Sequence, residues 1–335
     1  MSTPRIPGRF GSDWVEDLAP IRTDKWNCER ARHLLDRAGF GGPPEEVERL
    51  ARLAPEAAVT FLVDYEEIEN AHLAPFEHSC IYDPTLTPFP PTRPAATRLA
   101  AETGAAMGLA VKPSGPRRLQ PVANRFFYWL RASALETRRV ANWWADRMVA
   151  TNRPLEEKMA LFWHGHFATG AEKVRDYRKM LRQLALFQRG ATGNFRELLI
   201  AVAQDPAMLV FLDAGQNVKD APNENFGREV MELFTMGVGH YTEQDIREAA
   251  RAFTGWVDDD LSFRIDPAKH DEGEKTFLLG EPDRSMGYRF SRSFSSNPRR
   301  PTMSPASSIV SSCAKICRRV FRTGSGRCCA TTTTN

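Results

Sequence analysis

The sequence predicts an all-α protein: an irregular multi-helix globular bundle with a Pro-rich excursion and a disordered basic C-terminal tail. Three observations predict it. Helix start and stop residues recur along the first 283 residues, apolar residues between them fall at helical spacing, and strand-like alternation is scarce. With 335 residues, 42% of them hydrophobic, the chain can build a sizeable core.

Residues 27–38 form an amphipathic run closed by Gly39, and new helices are expected to start at Pro44 and Pro55, since proline is tolerated in the first turn. The segment 1–80 is therefore an N-terminal helical segment. From 81 to 118 the chain turns to Pro, Thr and Ala, which reads as a linker or surface excursion with one helix near Ala95 to Met107. A helical domain follows over 119–283. It opens with a long aromatic stretch containing "RFFYWL" and "NWWADRM", read as core packing, and continues with a helix starting at Pro154. Asn194 with Glu197, Asp205 before Pro206, and Thr242 with Asp245 mark three further helix starts.

Charge and cysteine are unevenly spread. The last acidic residue is Asp283, and ten Lys or Arg follow it, so residues 284–335 carry +10. Residues 1–283 hold 35 Lys and Arg against 42 Asp and Glu, a net of −7, which is poorly suited to neutralising phosphates and excludes nucleic acid as the expected partner. Four of the six cysteines, Cys313, Cys317, Cys328 and Cys329, crowd into the tail. Adjacent Cys328 and Cys329 diverge, so this is not the paired spacing of a zinc site. The shift in composition fits a reading frame lost near residue 284 better than a natural basic tail. No run is long and apolar enough for a membrane span, and the start "MSTPRIPGRFGSDWVEDLAP" lacks the apolar centre of a signal peptide. As written, the chain is expected in the cytoplasm.

Two motifs carry candidate chemistry. In "MALFWHGHFATG", with about 100° per residue and Phe162 at zero, Leu155 falls at about 20°, His166 at about 40° and Met159 at about 60°. His166 is thus expected to face the core. His164 falls at about 200°, beside Glu157 at about 220°, on the side expected to be polar. One ion takes both histidines only if Gly165 breaks the helix or the segment is extended.

The second motif, "NENFGREVMELFTMGVGHYTEQDIREAARAFTGW", is read from Phe226 at zero. Val230 at about 40°, Leu233 at about −20° and Phe234 at about 80° form its apolar face. Glu229 at about −60°, Asn225 at about −100° and Glu232 at about −120° draw a polar line along the edge, while Glu224 and Arg228 are i,i+4 partners elsewhere. The helix is expected to stop at Gly237 and Gly239. A carboxylate at such an edge needs a donor, and the candidates are the two histidines, Arg175, Arg178 and His240. A structural ion-pair network and a functional cluster both fit this line.

The same stretches, with "RHLLDRAGFGG" and "GNFRELLIAVAQDPAMLVFLD", resemble the bacterial domain of unknown function numbered 1800, over roughly residues 29–260. The motif positions are His164, His166, Asn223, Glu224, Asn225, Arg228, Glu229 and Glu232, with Gly227 where Ala is usual. The resemblance implies a helical protein, an exported partner with an alkaline-phosphatase-like or sulfatase-like fold, and further helices past residue 290, so the chain is expected to be truncated.

Two functions follow as expectations. One is a binding or assembly protein working with that exported partner. The other is a metal-assisted hydrolase, with His166, Glu229, Glu232 and Asn225 as candidate catalytic residues and His164, His166, Glu229 and Glu232 as candidate ligands of a divalent metal. The tail is expected to add nothing to the core. Deleting residues 291–335 should leave thermal unfolding of the body unchanged, and a large fall in melting temperature would make the tail a structural element.

Overall fold

The computed structural model describes residues 20–82, 93–108, 120–273 and 275, so the expectations for the basic tail and its cysteines lie outside the described residues, as does most of the Pro-rich excursion. Among the described residues there are twelve α-helices and one two-stranded sheet. No helix of these is long and apolar enough to cross a membrane. The chain divides into two compact units, Met1–Asn70 with Asn152–Lys158, and Ala71–Thr151 with Met159–Asn335.

The first unit is a three-helix cluster. Helix α1 (Cys28–Ala38) begins where Asn27 accepts the Arg30 N–H at 3.0 Å and ends at Gly39. Helices α2 (Pro44–Ala51) and α3 (Pro55–Val63) start on their prolines, as the sequence predicts. Each contributes one apolar stripe at helical spacing, Ala31 and Leu35, Val47 and Leu50, Ala58 and Leu62, and the six side chains form a single buried cluster. Gly39 lies so close to Pro154 that an added Cβ would stand 2.8 Å from that ring. Arg153 donates to the Ile68 carbonyl at 2.6 Å.

The second unit holds α4 (Arg93–Ala106), α5 (Gln120–Ala150), the larger part of α6 (Pro154–Phe167), α7 (Ala171–Val174), α8 (Tyr177–Arg189), α9 (Phe195–Ala203) and α10 (Pro206–Phe211). Helices α11 (Asn225–Glu232) and α12 (Glu243–Ala252) follow, then the hairpin β1 (Trp256–Asp259) and β2 (Ser262–Ile265), antiparallel with Trp256 opposite Ile265. The starts read from sequence are built as caps. Asn194 accepts from Arg196 N–H, Asp205 from Ala207 and Met208 N–H, and Thr242 with Asp245 closes a full capping box.

The aromatic stretches of α5 reach the segment before Tyr82. Trp143 donates to the Ala74 carbonyl at 3.0 Å, Arg139 to the Glu77 carbonyl at 2.9 Å, and Trp129 to the Tyr82 hydroxyl at 2.7 Å. Ser79 donates to Glu136, a fully buried carboxylate that also takes two bonds from Arg139. These indoles bury their rings and spend their N–H groups on backbone and hydroxyl acceptors, as buried tryptophans do.

The main core joins α6, α8, α9, α10, α11, α12 and β1. Here the expected face of α6 is corrected. Ala160, Trp163 and Phe167 are its buried side chains, together with Glu157, which is wholly buried instead of on a polar face, while Phe162 is only partly covered and Leu161 is exposed. The reason is that α6 is apolar around most of its circumference, so periodicity does not select a side.

Helices α11 and α12 pack tightly. A Cβ at Gly227 would stand 3.1 Å from the Ala249 Cβ and 3.3 Å from the Ala250 nitrogen. Small residues on both sides let the two backbones approach. Gly227→Leu should destabilise the protein by about 1–3 kcal/mol through overpacking, whereas Gly227→Ala should change stability by less than about 1 kcal/mol, because gained helix propensity offsets the tight contact. Urea unfolding of the two variants checks this.

Candidate functional site

The site is built from the end of α6, the loop before α11, and the turn after it. Asn217, buried at 1% exposure, donates to the Ala250 carbonyl at 2.8 Å and accepts the Asn223 N–H at 2.9 Å. Asn223 in turn accepts the Asn225 N–H at 2.9 Å, and Asn225 donates to the Leu212 carbonyl at 3.2 Å. The three asparagines thus fix where α11 starts. Arg228 bridges Glu224 at 3.0 Å and Glu243 at 3.1 Å, so the expected i,i+4 pair extends to α12. This cluster is exposed, and Glu243 is held below its ordinary range by the Arg228 guanidinium.

Helix α11 stops at Glu232, four residues short of the expected Met236. It unwinds through wide backbone bonds, Phe234 N–H to the Glu229 carbonyl and Met236 N–H to the Met231 carbonyl, with the Thr235 hydroxyl on the Val230 carbonyl at 2.6 Å. Gly237 and Gly239 then take φ of +83° and +91°, a backbone region that favours glycine. Leu233 keeps the helical N–H bond to the Glu229 carbonyl, yet it is 60% exposed, which corrects its expected burial; Phe234 and Met236 are buried, and Val238 is 74% exposed.

Both histidines of "HGH" are half-buried among aromatic rings. His166 shares a 3.2 Å hydrogen bond with the Phe234 carbonyl, which makes Nε2–H the donor. Its ring lies near those of Phe162, Trp163, Phe167 and Phe234. His164 is not on a polar surface, as the sequence predicts, but packs against Trp144 and Phe187. Burial pushes both imidazoles down from 6.5 and keeps them neutral at pH 7. Gly165 lies inside the continuous helix, so the break that would let one ion take both rings is not adopted.

Of the carboxylates on the polar line, Glu232 accepts the Tyr241 hydroxyl at 2.5 Å. Burial, then Glu232, pushes Tyr241 up to about 12. Glu229 is half-buried, and desolvation followed by the Glu232 charge raises its carboxyl, with Arg228 pulling the other way. The other expected donors are engaged elsewhere or exposed: Arg178 with Asp176 and Asp260, Arg175 with the Glu172 carbonyl, and His240 at the surface. Among the described residues, no three His, Cys, Asp or Glu side chains gather around one point suited to a metal ion. Sequence reasoning missed Asn217, Tyr241 and the backbone carbonyl of Phe234. Asn217 and Tyr241 lie in irregular segments without periodicity, and the Phe234 contribution is a backbone carbonyl.

A family model described as a protein of unknown function, DUF1800, matches residues 33–293. The chain belongs to this family. The "HGH" and "NENFGRE" stretches both lie within the matched region of this DUF1800 protein. Neither a curated protein nor a solved structure matches it.

The two histidines should respond differently to substitution. His166→Phe removes the bond to the Phe234 carbonyl and should cost about 1–2 kcal/mol. His164→Phe keeps an aromatic ring in an aromatic setting and should cost less than about 1 kcal/mol, if anything. Equal losses in chemical unfolding would contradict the roles assigned here.

Proposed function

We propose that this DUF1800 protein is a binding or assembly protein, and that the turn from Leu233 to His240 is its contact surface. The observation that carries this reading is the pairing of an inward-anchored backbone with outward apolar side chains. Phe234 and Met236 are buried and the Phe234 carbonyl is held by His166, while Leu233 and Val238 project outward, 60% and 74% exposed. Of the residues singled out as candidate chemistry, His166 and Glu232 make internal bonds that shape this turn, and Asn225 makes one that holds the start of α11. The resemblance stated above supplies the partner class, an exported protein with an alkaline-phosphatase-like fold.

A second reading, a metal-assisted hydrolase, draws support from Glu229, a half-buried carboxylate with a raised pKa beside Glu232. Elemental analysis of the purified chain, with Glu229→Gln as control, tests it. Stoichiometric Zn, Mn or Fe that disappears in the variant would favour the hydrolase.

For the binding reading, the purified chain is titrated with an exported alkaline-phosphatase-like protein of the class that the resemblance implies. The double variant Leu233→Asp, Val238→Asp should weaken association at least about tenfold, since two apolar contacts are replaced by charges that must be desolvated, with unchanged circular dichroism. Undiminished binding by the variant would remove the turn from the interface, and no binding by the wild type would overturn the proposal.

A further inference from the structure

Between α8 and α10 the core encloses a polar pair that the site above does not use. Gln183 is 1% exposed and Asp205 is 2% exposed. The Gln183 amide donates to Asp205 Oδ1 at 2.9 Å, and the same oxygen takes the Ala207 and Met208 N–H groups at 3.1 and 3.3 Å. All three donors therefore converge on one carboxylate oxygen. The other oxygen, Oδ2, and the amide oxygen Oε1 of Gln183 are both buried, and no donor among the described residues reaches either. Buried acceptors are ordinarily matched with donors, because leaving one unmatched forfeits a hydrogen bond to water.

We infer that Asp205 is a proton-binding switch between α8 and α10: at mildly acidic pH its carboxyl is neutral with the proton on Oδ2, and ionisation near neutrality loosens this junction. A proton on Oδ2 converts an unmatched acceptor into a donor and removes a charge from the core. Burial pushes the Asp205 carboxyl up from 3.8 to about 6, against the lowering pull of the Met208 N–H, Gln183, the Ala207 N–H and Arg182. Arg182 of α8 is the charged side chain that bears on it. Of the other charges on the elements around α10, Lys173 of α7 pairs with Asp213, Lys179 of α8 with Asp258 of β1 and Arg178 of α8 with Asp176 and Asp260, while Glu172 of α7, Arg189 of α8 and Glu197 of α9 are exposed. The inference is independent of the docking reading, but it touches the same region: Leu212, which follows α10, supplies the carbonyl that receives Asn225 at the start of α11.

The sign of the effect follows from linkage. A carboxyl raised in the folded state contributes stability that is fully present below its unfolded pKa and is lost as pH rises through about 6. His164 and His166, both lowered by burial, act oppositely, contributing stability above the ordinary histidine range that is lost on acidification. The test must therefore isolate Asp205.

Urea unfolding of the full chain is measured for wild type and Asp205→Asn, which retains the cap acceptor and mimics the neutral acid. The ratio of the wild-type unfolding constant to that of the variant should rise about tenfold between about pH 5 and about pH 7.5. A flat or falling ratio would overturn the proposal. A carbon-detected NMR titration of the Asp205 carboxyl in the wild-type chain needs no variant to fold. A midpoint near 6 is expected, and a midpoint in the ordinary aspartate range, as a bridging water would give, would overturn it.

Discussion

Trp163 and Phe167 stand one helical turn apart on α6, and the second unit is assembled around them. Phe167 is wholly buried, stacked on Phe187 of α8 at 5.8 Å and edge-on to Phe234 after α11 at 5.3 Å. Trp163 stacks on Phe195 at the start of α9 and donates its indole N–H to the Ala191 carbonyl at 2.8 Å. Two side chains on one helix thus reach three separate parts of the unit. Burying a side chain of this size contributes about 1.5–3 kcal/mol, and aromatic pairs add about 0.5–1.5 kcal/mol each. The histidines flank this seam, which explains why both are half-buried and neutral without sharing a ligand.

Polar groups in this unit act mainly as fasteners for segments lacking periodic structure. Asn217, Asn223 and Asn225 tie a loop to α10 and α12 through backbone atoms, and the Thr242–Asp245 box starts α12. Further along, Arg251 pairs with Glu248 and Asp271, and the Asp271 N–H donates to the Thr254 hydroxyl. Each arrangement uses a charged or amide group with its capacity satisfied nearby, so the cost of partial burial is offset locally. A cluster of such residues in the sequence therefore signals either chemistry or a loop that must be held in place. Asn225, Glu232 and His166 each make an internal bond of the fastening kind.

Much of the helical frame was legible because helix ends have local causes. Pro44, Pro55, Pro154 and Pro206 open helices, and Asn194, Asp205 and Thr242 cap α9, α10 and α12, all through causes within a few residues. The buried side of α6 was not legible, since a helix apolar on nearly all sides leaves the choice of face to its neighbours. The early end of α11 was also hidden. The sequence places Leu233 on the apolar stripe, but no neighbour among the described residues covers that stripe at Leu233, and the wide bonds from Phe234 and Met236 then redirect the chain that follows. Of the site, the Glu224–Arg228 pair could be read from spacing, whereas continuity of the helix through Gly165 was left open. The bond from His166 to the Phe234 carbonyl could not be read, because a backbone acceptor carries no residue signature.

The way α11 ends also bears on how its turn would bind. A loop that orders only on association loses conformational entropy when it does so, and that loss subtracts from affinity. Here the ordering is already accomplished: Thr235 closes on Val230, Phe234 and Met236 are sunk in the core, His166 holds the intervening carbonyl, and Tyr241 clamps Glu232. Leu233 is then presented on a backbone with little freedom left to lose, with Val238 beyond it between Gly237 and Gly239. Two apolar side chains alone supply a modest contact, so pre-ordering makes a larger fraction of that contact available for binding. The residues that most resemble catalytic machinery in the sequence would, on this view, contribute to recognition indirectly, by holding the turn in the shape that a partner meets.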